Sequence, residues 1–167
     1  SRATRFGTAP DDGRELPSDH TGESLLRAHP WIVDINPGRE DGGENLSNCV
    51  IAAITFELAW REQGALQAAT TEELLGIDLV NFHRQSLGLA DDRHEAYRIP
   101  DIAAAAEALR ASPVNSRVLI AVRNSANETG HVLVGIHDER GVSFVDPQTG
   151  GLGRLPADVT ALALLPL

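Results

Sequence analysis

The sequence predicts an α+β domain in which a helical half packs on an antiparallel β-sheet. An apolar segment over residues 49–63, without Gly or Pro, is typical of a buried central helix. A second helical pattern covers residues 99–112, and short β-type runs separated by turn sequences follow residue 113. Helices therefore precede strands, as in an α+β chain.

The composition limits the class of protein. A chain of 167 residues suits one domain, because it buries roughly 70% of the surface that its unfolded form exposes. No apolar run approaches the ~20 residues that cross a bilayer, and residues 1–20 lack the apolar core of a secretory leader. A net charge of −10 repels phosphate backbones. We therefore expect neither a membrane protein nor a nucleic-acid binder.

The amino-terminal third is predicted to be mostly irregular. Residues 1–23 are rich in Gly, Pro, Asp, Ser and Thr without periodicity, which indicates a linker or extended arm before a folded domain over residues 24–167. A helical turn is expected over residues 24–28. The segment HPWIVDINPGREDGGEN, residues 29–45, is then expected to form a loop that leads to Cys49.

The central helix is predicted to begin at Cys49. Ser47 or Asn48 can cap its amino end, and Gly64 can close its carboxyl end. Residues 70–89 are predicted to form one or two short helices, and Asp101 is expected to cap the helix that follows Pro100. The runs at residues 117–124, 131–137 and 142–146 predict an antiparallel meander, with a possible final strand over residues 159–167.

Cys49 is the only cysteine of the chain. A single thiol excludes an internal disulfide and the cysteine pairs of zinc fingers. The free N–H groups in the first turn of a helix stabilise a thiolate, and the thiolate is the nucleophilic form of cysteine. Free cysteine is also among the most buried residue types. The residue is therefore either a nucleophile or a small core residue, and a nucleophile needs a histidine nearby.

Six histidines compete for that role. Four are expected to be exposed or to cap helices: His20, His29, His83 and His94. His137, at the end of a strand, is expected to be solvated. His131 differs because it opens the apolar run HVLVGI directly after Gly130, at the lip of the sheet, where a side chain can face a cleft.

Asp146 ends the neighbouring strand and can orient His131. If DERG, residues 138–141, forms a two-residue loop, Leu133 faces Asp146, and Asp146 becomes the diagonal neighbour of His131 with Cβ atoms ~7 to 8 Å apart. If Gly141 instead forms a bulge after a three-residue loop, Asp146 moves to the other face of the sheet. The sequence leaves both registers open.

A metal site is a weaker alternative for these strands. Its ligands would be His131, His137, Asp138 and Asp146. Alternating histidines and acids on strands are common by chance, so the pattern alone gives little support to such a site.

Four short motifs together carry a resemblance to a known family. The chain has INP before a Gly-rich loop, NCV at a helix start, GHV at a strand start and DPQTG after the next strand. This order, with Cys before His before Asp, resembles the papain-fold toxin family of protein-glutamine deamidases, terminal domains of bacterial polymorphic toxins. Trp31, Asn36 and Pro37 also match the family pattern. The arm and residues 65–115 show no such match.

The resemblance implies a papain-like fold and a role for each matching residue. Cys49 would be the nucleophile, His131 the general base and acid, and Asp146 the residue that orients His131. Asn48, or else Asn45, would form the oxyanion hole with the Cys49 amide, and Gln148 would line the cleft.

The implied activity is deamidation of glutamine side chains in a target protein, without metal or organic cofactor. The domain would be a monomer, secreted by a bacterium as part of a larger protein, active in the cytosol of a target cell and inhibited by an immunity protein. A cysteine peptidase or a transglutaminase would use the same three residues. A non-catalytic papain-like binding module, with Cys49 in its core, is the alternative from another class.

Overall fold

The computed structural model describes residues 5–6, 13–37, 48–62, 74–75, 85, 88, 96–124, 129–156 and 159–167. Several predictions lie outside these residues, namely those for Asn45, Ser47, Gly64, His83 and His94. Within the described residues the protein is α+β, with three α-helices and sheets that are antiparallel except for one strand pair. No helix in the described ranges combines the length and the hydropathy that a membrane crossing needs.

The helices are α1 (Gly22–Ala28), α2 (Cys49–Glu62) and α3 (Ile102–Arg110), and a 3-10 helix spans Pro30–Asp34. The strands are β1 (Arg5–Phe6), β2 (Arg14–Glu15), β3 (Leu74–Leu75), β4 (Tyr97–Ile99), β5 (Arg117–Asn124), β6 (Thr129–Asp138), β7 (Gly141–Asp146), β8 (Gly151–Leu152), β9 (Arg154–Leu155) and β10 (Ala161–Pro166). The two predicted helices, the meander and the final strand are confirmed. Leu74 and Leu75 form a strand against β1, so the helical prediction is wrong there.

The helices begin where a preceding side chain can cap their first backbone N–H groups. Thr21 Oγ1 accepts the N–H of Ser24 at 3.0 Å, and the Ser24 hydroxyl accepts the N–H of Thr21, which makes a reciprocal capping box for α1. Asp101 accepts the N–H of Ala104 at 3.0 Å, as predicted for α3. Helix α2 begins at Cys49, as the sequence predicts.

The meander fixes the register that the sequence left open. Asp138 pairs with Gly141 and Val134 with Val145, so the loop between β6 and β7 has two residues, Glu139 and Arg140. Gly141 has φ +133°, which disfavours a side chain there. The strand β10 returns to pair with β5, and β4 forms the edge beyond it.

The other edge of β6 is shared by two strands. The short strand β1 pairs with it in parallel at Thr129 and Gly130, and β7 begins to pair at Val134. His131 therefore lies in the interval between these two partners. This interval places His131 beside an opening in the sheet rather than within a continuous ladder.

Two apolar clusters cover the two faces of the sheet. Alternate residues of β6, including Val132 and Val134, pack with α2, whereas Leu133 packs with Leu109 of α3. At Gly135 an added Cβ would lie 2.8 Å from Leu109 Cδ1, so the glycine allows α3 to approach the sheet closely. The helices thus hold β6, the strand that carries His131, from both sides.

A buried ion pair fixes α2 against β5. Glu57 is fully buried, and each of its carboxylate oxygens accepts a hydrogen bond from Arg117 Nε at 3.0 Å. Arg61 Nε also donates to it, at 3.2 Å. Because a buried carboxylate without such partners is costly, these bonds define the position of α2 along the sheet, and thus of Cys49 at its amino end.

The described part of the predicted arm packs against the hairpin of β6 and β7. Asp19 N–H donates to the Val142 carbonyl at 2.9 Å, and the Asp19 carboxylate accepts the Val142 N–H at 2.7 Å. The backbone N–H of His20 donates to Ser143 Oγ at 3.0 Å. Leu16 is buried in the cluster beneath α3. Residues 16–20 therefore pack against the folded structure.

Candidate active site

Cys49 occupies the first position of α2, where the helix presents backbone N–H groups without intrahelical partners. The residue is fully buried among apolar side chains of α2 and the sheet. The Asn48 carbonyl accepts the N–H of Ala52 at 2.9 Å, which starts the helical ladder. The thiol therefore combines an apolar environment with the positive end of a helix dipole.

His131 and Asp146 meet as the two-residue loop predicts. His131 Nε2 lies 2.7 Å from Asp146 Oδ2, and both side chains are buried. The other carboxylate oxygen of Asp146 accepts the N–H of Gln148 at 3.0 Å and that of Thr149 at 3.4 Å. Asp146 is thus fixed by the turn that follows β7 while it binds the imidazole.

The second ring nitrogen of His131, Nδ1, is buried and has no hydrogen-bond partner in the part of the chain that the structure describes. Cys49 adds to the rise of the pKa of His131, after the larger effect of Asp146. The imidazole is therefore bound by a carboxylate at Nε2 and influenced by the thiol, and a nucleophile, a base and an orienting group are the components of cysteine catalysis.

The surroundings favour the imidazolium form of His131. Burial on its own lowers the pKa of His131, but the charge and hydrogen bond of Asp146, with a further contribution from Cys49, outweigh it. Together they raise that pKa from 6.5 to about 10. The ring consequently holds its second proton at neutral pH, which provides a counter-charge for a thiolate.

Three buried amides form a network next to the thiol. Asn48 Nδ2 donates to Asn36 Oδ1 at 2.9 Å, and Asn36 Nδ2 donates to the Gln148 carbonyl at 2.9 Å. Gln148 Nε2 lies 3.4 Å from Asn48 Oδ1. The network links the loop before α2, the start of α2 and the turn after β7. Asn48 and Gln148, both predicted at the site, are thus brought together with Asn36.

The strand-based metal site is not supported by the geometry. His131 and Asp138 are seven residues apart on one strand, which separates them by about 20 Å along β6. His137 is only partly buried, and its Nδ1 lies 3.0 Å from the Ser112 carbonyl. Asp146 belongs with His131. The four proposed ligands therefore fall into two groups at opposite ends of the strand, and that alternative is wrong.

Asp138 has a different set of partners, which sequence reasoning missed. His20 Nε2 lies 2.5 Å and His29 Nε2 lies 2.9 Å from the same oxygen, Asp138 Oδ2. His20 is buried, so the expectation that it is exposed or a cap is wrong. The arm and the hairpin that meet here are more than a hundred residues apart, and the spacing of the two histidines carries no signal for this contact.

Comparison of the sequence with protein-family models and with curated proteins finds no match.

Proposed function

We propose that this domain is a papain-like cysteine hydrolase that deamidates glutamine side chains of a target protein. The observation that carries the proposal is the position of the His131 ring, 2.7 Å from Asp146 and electrostatically coupled to Cys49. The α+β architecture, with the cysteine at the start of a helix and the histidine on a strand, agrees with this assignment. The four motifs that resemble the papain-fold toxin family favour deamidation within this class.

The first half-reaction uses Cys49 and His131 as an ion pair. The Cys49 thiolate attacks the carboxamide carbon, a C–S bond forms, and the C–N bond then breaks. The imidazolium of His131 gives its proton to the departing amide nitrogen, which leaves as ammonia. A raised His131 pKa suits this step because the proton is present on the ring before the substrate arrives.

The second half-reaction requires His131 to act as a base. The ring is neutral at this stage because its proton has left with ammonia, and the uncharged thioester sulfur no longer adds the smaller contribution of Cys49 to the raised pKa of His131. The neutral ring then takes a proton from water as a C–O bond forms, and the C–S bond breaks to release glutamate. Asp146 keeps the ring oriented through both steps. The thiolate and the imidazolium are restored together.

The oxyanion in each half-reaction needs hydrogen-bond donors near Cys49. The amide of Cys49 in the first turn of α2 is the proposed backbone donor, and Asn48 is the proposed side-chain donor. In this structure the Asn48 amide donates to Asn36, so we assign the Asn36 and Gln148 partners to positioning Asn48 beside the thiol. Asn45 is the alternative donor and lies outside the described residues.

A non-catalytic binding module is the second candidate, and the full burial of Cys49 is the observation that favours it. A substrate reaches the sulfur only if a neighbouring side chain or loop moves. Iodoacetamide separates the two candidates. At about pH 6, where an ordinary thiol with a pKa near 8.5 is almost unreactive, an ion-paired Cys49 is alkylated in the native chain. A purely structural thiol reacts only when the chain unfolds.

The decisive experiment is mass spectrometry of proteins from cells that express the domain. A glutamine converted to glutamate, with ammonia released, supports deamidation. A cut chain indicates a cysteine peptidase, and an amine adduct indicates a transglutaminase. The matched control is the Cys49→Ala chain, in which all three products are expected to be absent. The same experiment identifies the target protein, which we place in the cytosol of a recipient cell.

A further inference from the structure

The cluster at Asp138 joins three parts of the chain away from the candidate active site. His20 comes from the arm, His29 lies between α1 and the 3-10 helix, and Asp138 ends β6. Their donor atoms, two Nε2 nitrogens and one carboxylate oxygen, all lie within 4.8 Å of one another. His20 is buried, and the other two side chains are largely so. The cluster is compact enough for three side chains to bind one ion.

The hydroxyl of Ser24 contacts the far ring nitrogen of His20. Its oxygen accepts the Thr21 N–H at 2.9 Å and lies 3.2 Å from the Thr21 carbonyl, to which it can donate. The same oxygen lies 2.8 Å from His20 Nδ1. When the hydroxyl hydrogen points to Thr21, Nδ1 is the donor in the contact with Ser24. A neutral His20 in that tautomer has its lone pair on Nε2, the atom next to Asp138.

In that tautomer the lone pair faces the Asp138 carboxylate at 2.5 Å, and a positive centre between the two atoms stabilises both. A second proton on the ring or a metal cation can supply that centre. The same carboxylate oxygen lies 2.9 Å from His29 Nε2, so two imidazole nitrogens converge on it. In metal sites the ring nitrogen that does not bind the ion commonly has a hydrogen-bond partner, which fixes the tautomer and directs the other nitrogen to the ion.

We propose that His20 Nε2, His29 Nε2 and Asp138 Oδ2 form a binding site for a divalent ion of the zinc type. Two imidazoles and one carboxylate are a donor set that suits Zn²⁺. In a tetrahedral zinc site the donor atoms are about 3.4 Å from one another. The two Nε2 atoms and Asp138 Oδ2 therefore need to move by about 1 Å for the ion to bind among them.

A cavity of about 460 Å³ borders all three ligands and provides room for a water molecule in the fourth position. Glu139 also borders this cavity and adds a negative charge. Arg27 and Arg140 border it too. The charge of Arg27 is paired with Glu23 at 2.7 Å, and the charge of Arg140 is opposed by that of Glu139, so the carboxylate of Asp138 leaves the site negative. The local charge therefore permits a cation.

The site would connect the arm to the turn between β6 and β7. It lies at the end of β6 opposite His131, so its ligands are separate from Cys49 and the proposed reaction. Zinc bound there would add stability without taking part in deamidation. The proposal consequently stands or fails independently of the proposed function.

Isothermal titration calorimetry of the whole chain with Zn²⁺ tests the site. In a second experiment Co²⁺ replaces Zn²⁺, because its visible spectrum depends on the type of ligand. We expect one equivalent to bind and a nitrogen- and oxygen-type Co²⁺ spectrum without a thiolate charge-transfer band. His29→Gln, at a partly buried position, is expected to weaken Zn²⁺ at least about tenfold. Asp138→Asn, of almost the same shape, is expected to do the same.

Two matched controls distinguish this site from others. His137→Gln changes the residue next to Asp138, and Cys49→Ala removes the thiol; both chains are expected to bind Zn²⁺ like the parent. Circular dichroism verifies that each variant is folded. Absence of stoichiometric binding to the parent chain would overturn the proposal. Binding that is lost in Cys49→Ala but kept in His29→Gln would overturn it as well, because the ion would then be at the thiol.

Discussion

Two histidine–carboxylate clusters lie at opposite ends of the same strand, and their chemistry differs. Near the start of β6, Asp146 binds one imidazole, that of His131, at 2.7 Å. At its end, Asp138 contacts two imidazoles, those of His20 and His29, at 2.5 and 2.9 Å. Each cluster is built from the same functional groups. The difference lies in what the remaining ring nitrogens contact.

The group that accompanies each histidine–carboxylate pair determines the chemistry that the pair can support. At His131 one ring nitrogen contacts the Asp146 carboxylate, and Cys49 adds to the raised pKa of the ring. In the proposed mechanism this ring exchanges a proton with the group that reacts at the Cys49 sulfur. At His20 the second nitrogen is held by Ser24, and both Nε2 atoms converge on one oxygen. Burial raises the pKa of Asp138, but the hydrogen bonds from His29 and His20 outweigh it and lower that pKa. A fixed anion with two aligned nitrogens is suited to holding a cation.

The largest effect is expected from removing the imidazole at the proposed active site. His131→Ala takes away both the acid for ammonia and the base for water, and it leaves Cys49 without a counter-charge. We expect deamidation to fall by about 10⁴-fold or more. His137→Ala, on the same strand but partly exposed, serves as the matched control and is expected to keep parent activity. Equal losses in the two variants would contradict the assignment of His131.

A smaller loss is expected when the orienting carboxylate becomes an amide. Asp146→Asn keeps the shape of the side chain and leaves Cys49 and His131 in place, but it removes the charge that stabilises the imidazolium. We expect kcat/KM to fall by up to about 10⁴-fold, less than for His131→Ala. Steady-state rates with a glutamine-containing target measure the difference. An unchanged kcat/KM would show that the contact of 2.7 Å between His131 Nε2 and Asp146 Oδ2 contributes to the structure but not to catalysis.

The pH profile tests the same contact without relying on the size of the loss. The proposed mechanism requires the imidazolium of His131, whose pKa is raised to about 10, so the alkaline limb of the kcat/KM profile of the parent chain should fall near that pH. Asp146→Asn removes the main cause of the rise. The imidazolium then loses its proton at lower pH, and the alkaline limb moves toward neutrality. An alkaline limb that does not move would show that Asp146 is not the source of the raised pKa.

Local patterns in the sequence predicted most of the fold near the proposed active site. The apolar segment from Cys49 predicted α2, because a helix that is apolar on nearly all sides must be buried. Alternating runs predict β5, β6 and β7, and the sequence allows the observed two-residue loop as one of two registers. These features depend on neighbours in sequence. His131 and Asp146 met because hairpin register places diagonal neighbours together.

Contacts between distant segments could not be predicted in this way. The strands β1 and β3 have two residues each and no periodicity, so only their pairing defines them. The cluster of His20, His29 and Asp138 depends on how the arm crosses the hairpin, through the backbone bonds of Asp19 and His20 to β7. Nothing in the local pattern of a polar arm encodes that crossing. Sequence reasoning therefore found the cluster built by a hairpin and missed the one built by tertiary packing.

The smallest effect is expected in the stability of the Asp138 cluster. Asp138→Asn, measured with a chelator present, removes the charge that two Nε2 atoms contact. We expect the free energy of unfolding to decrease by about 1–3 kcal/mol, the cost of leaving buried polar groups poorly paired. Urea denaturation at neutral pH measures it. Asp34→Asn, at an exposed position in the 3-10 helix, is the matched control and is expected to change stability by less than about 0.5 kcal/mol.

Substitutions in the two clusters should therefore affect different measurements, stability for one cluster and kcat/KM for the other. Asp138→Asn is expected to lower stability while the proposed deamidation by the folded chain continues, because Asp138 is about 20 Å along β6 from His131. Asp146→Asn lowers kcat/KM and shifts its pH profile. If Asp138→Asn proved as stable as the parent chain, the imidazole contacts at 2.5 and 2.9 Å would contribute nothing to folding. The described arm would then be held by its other contacts, namely the hydrogen bonds to β7 and the buried side chain of Leu16.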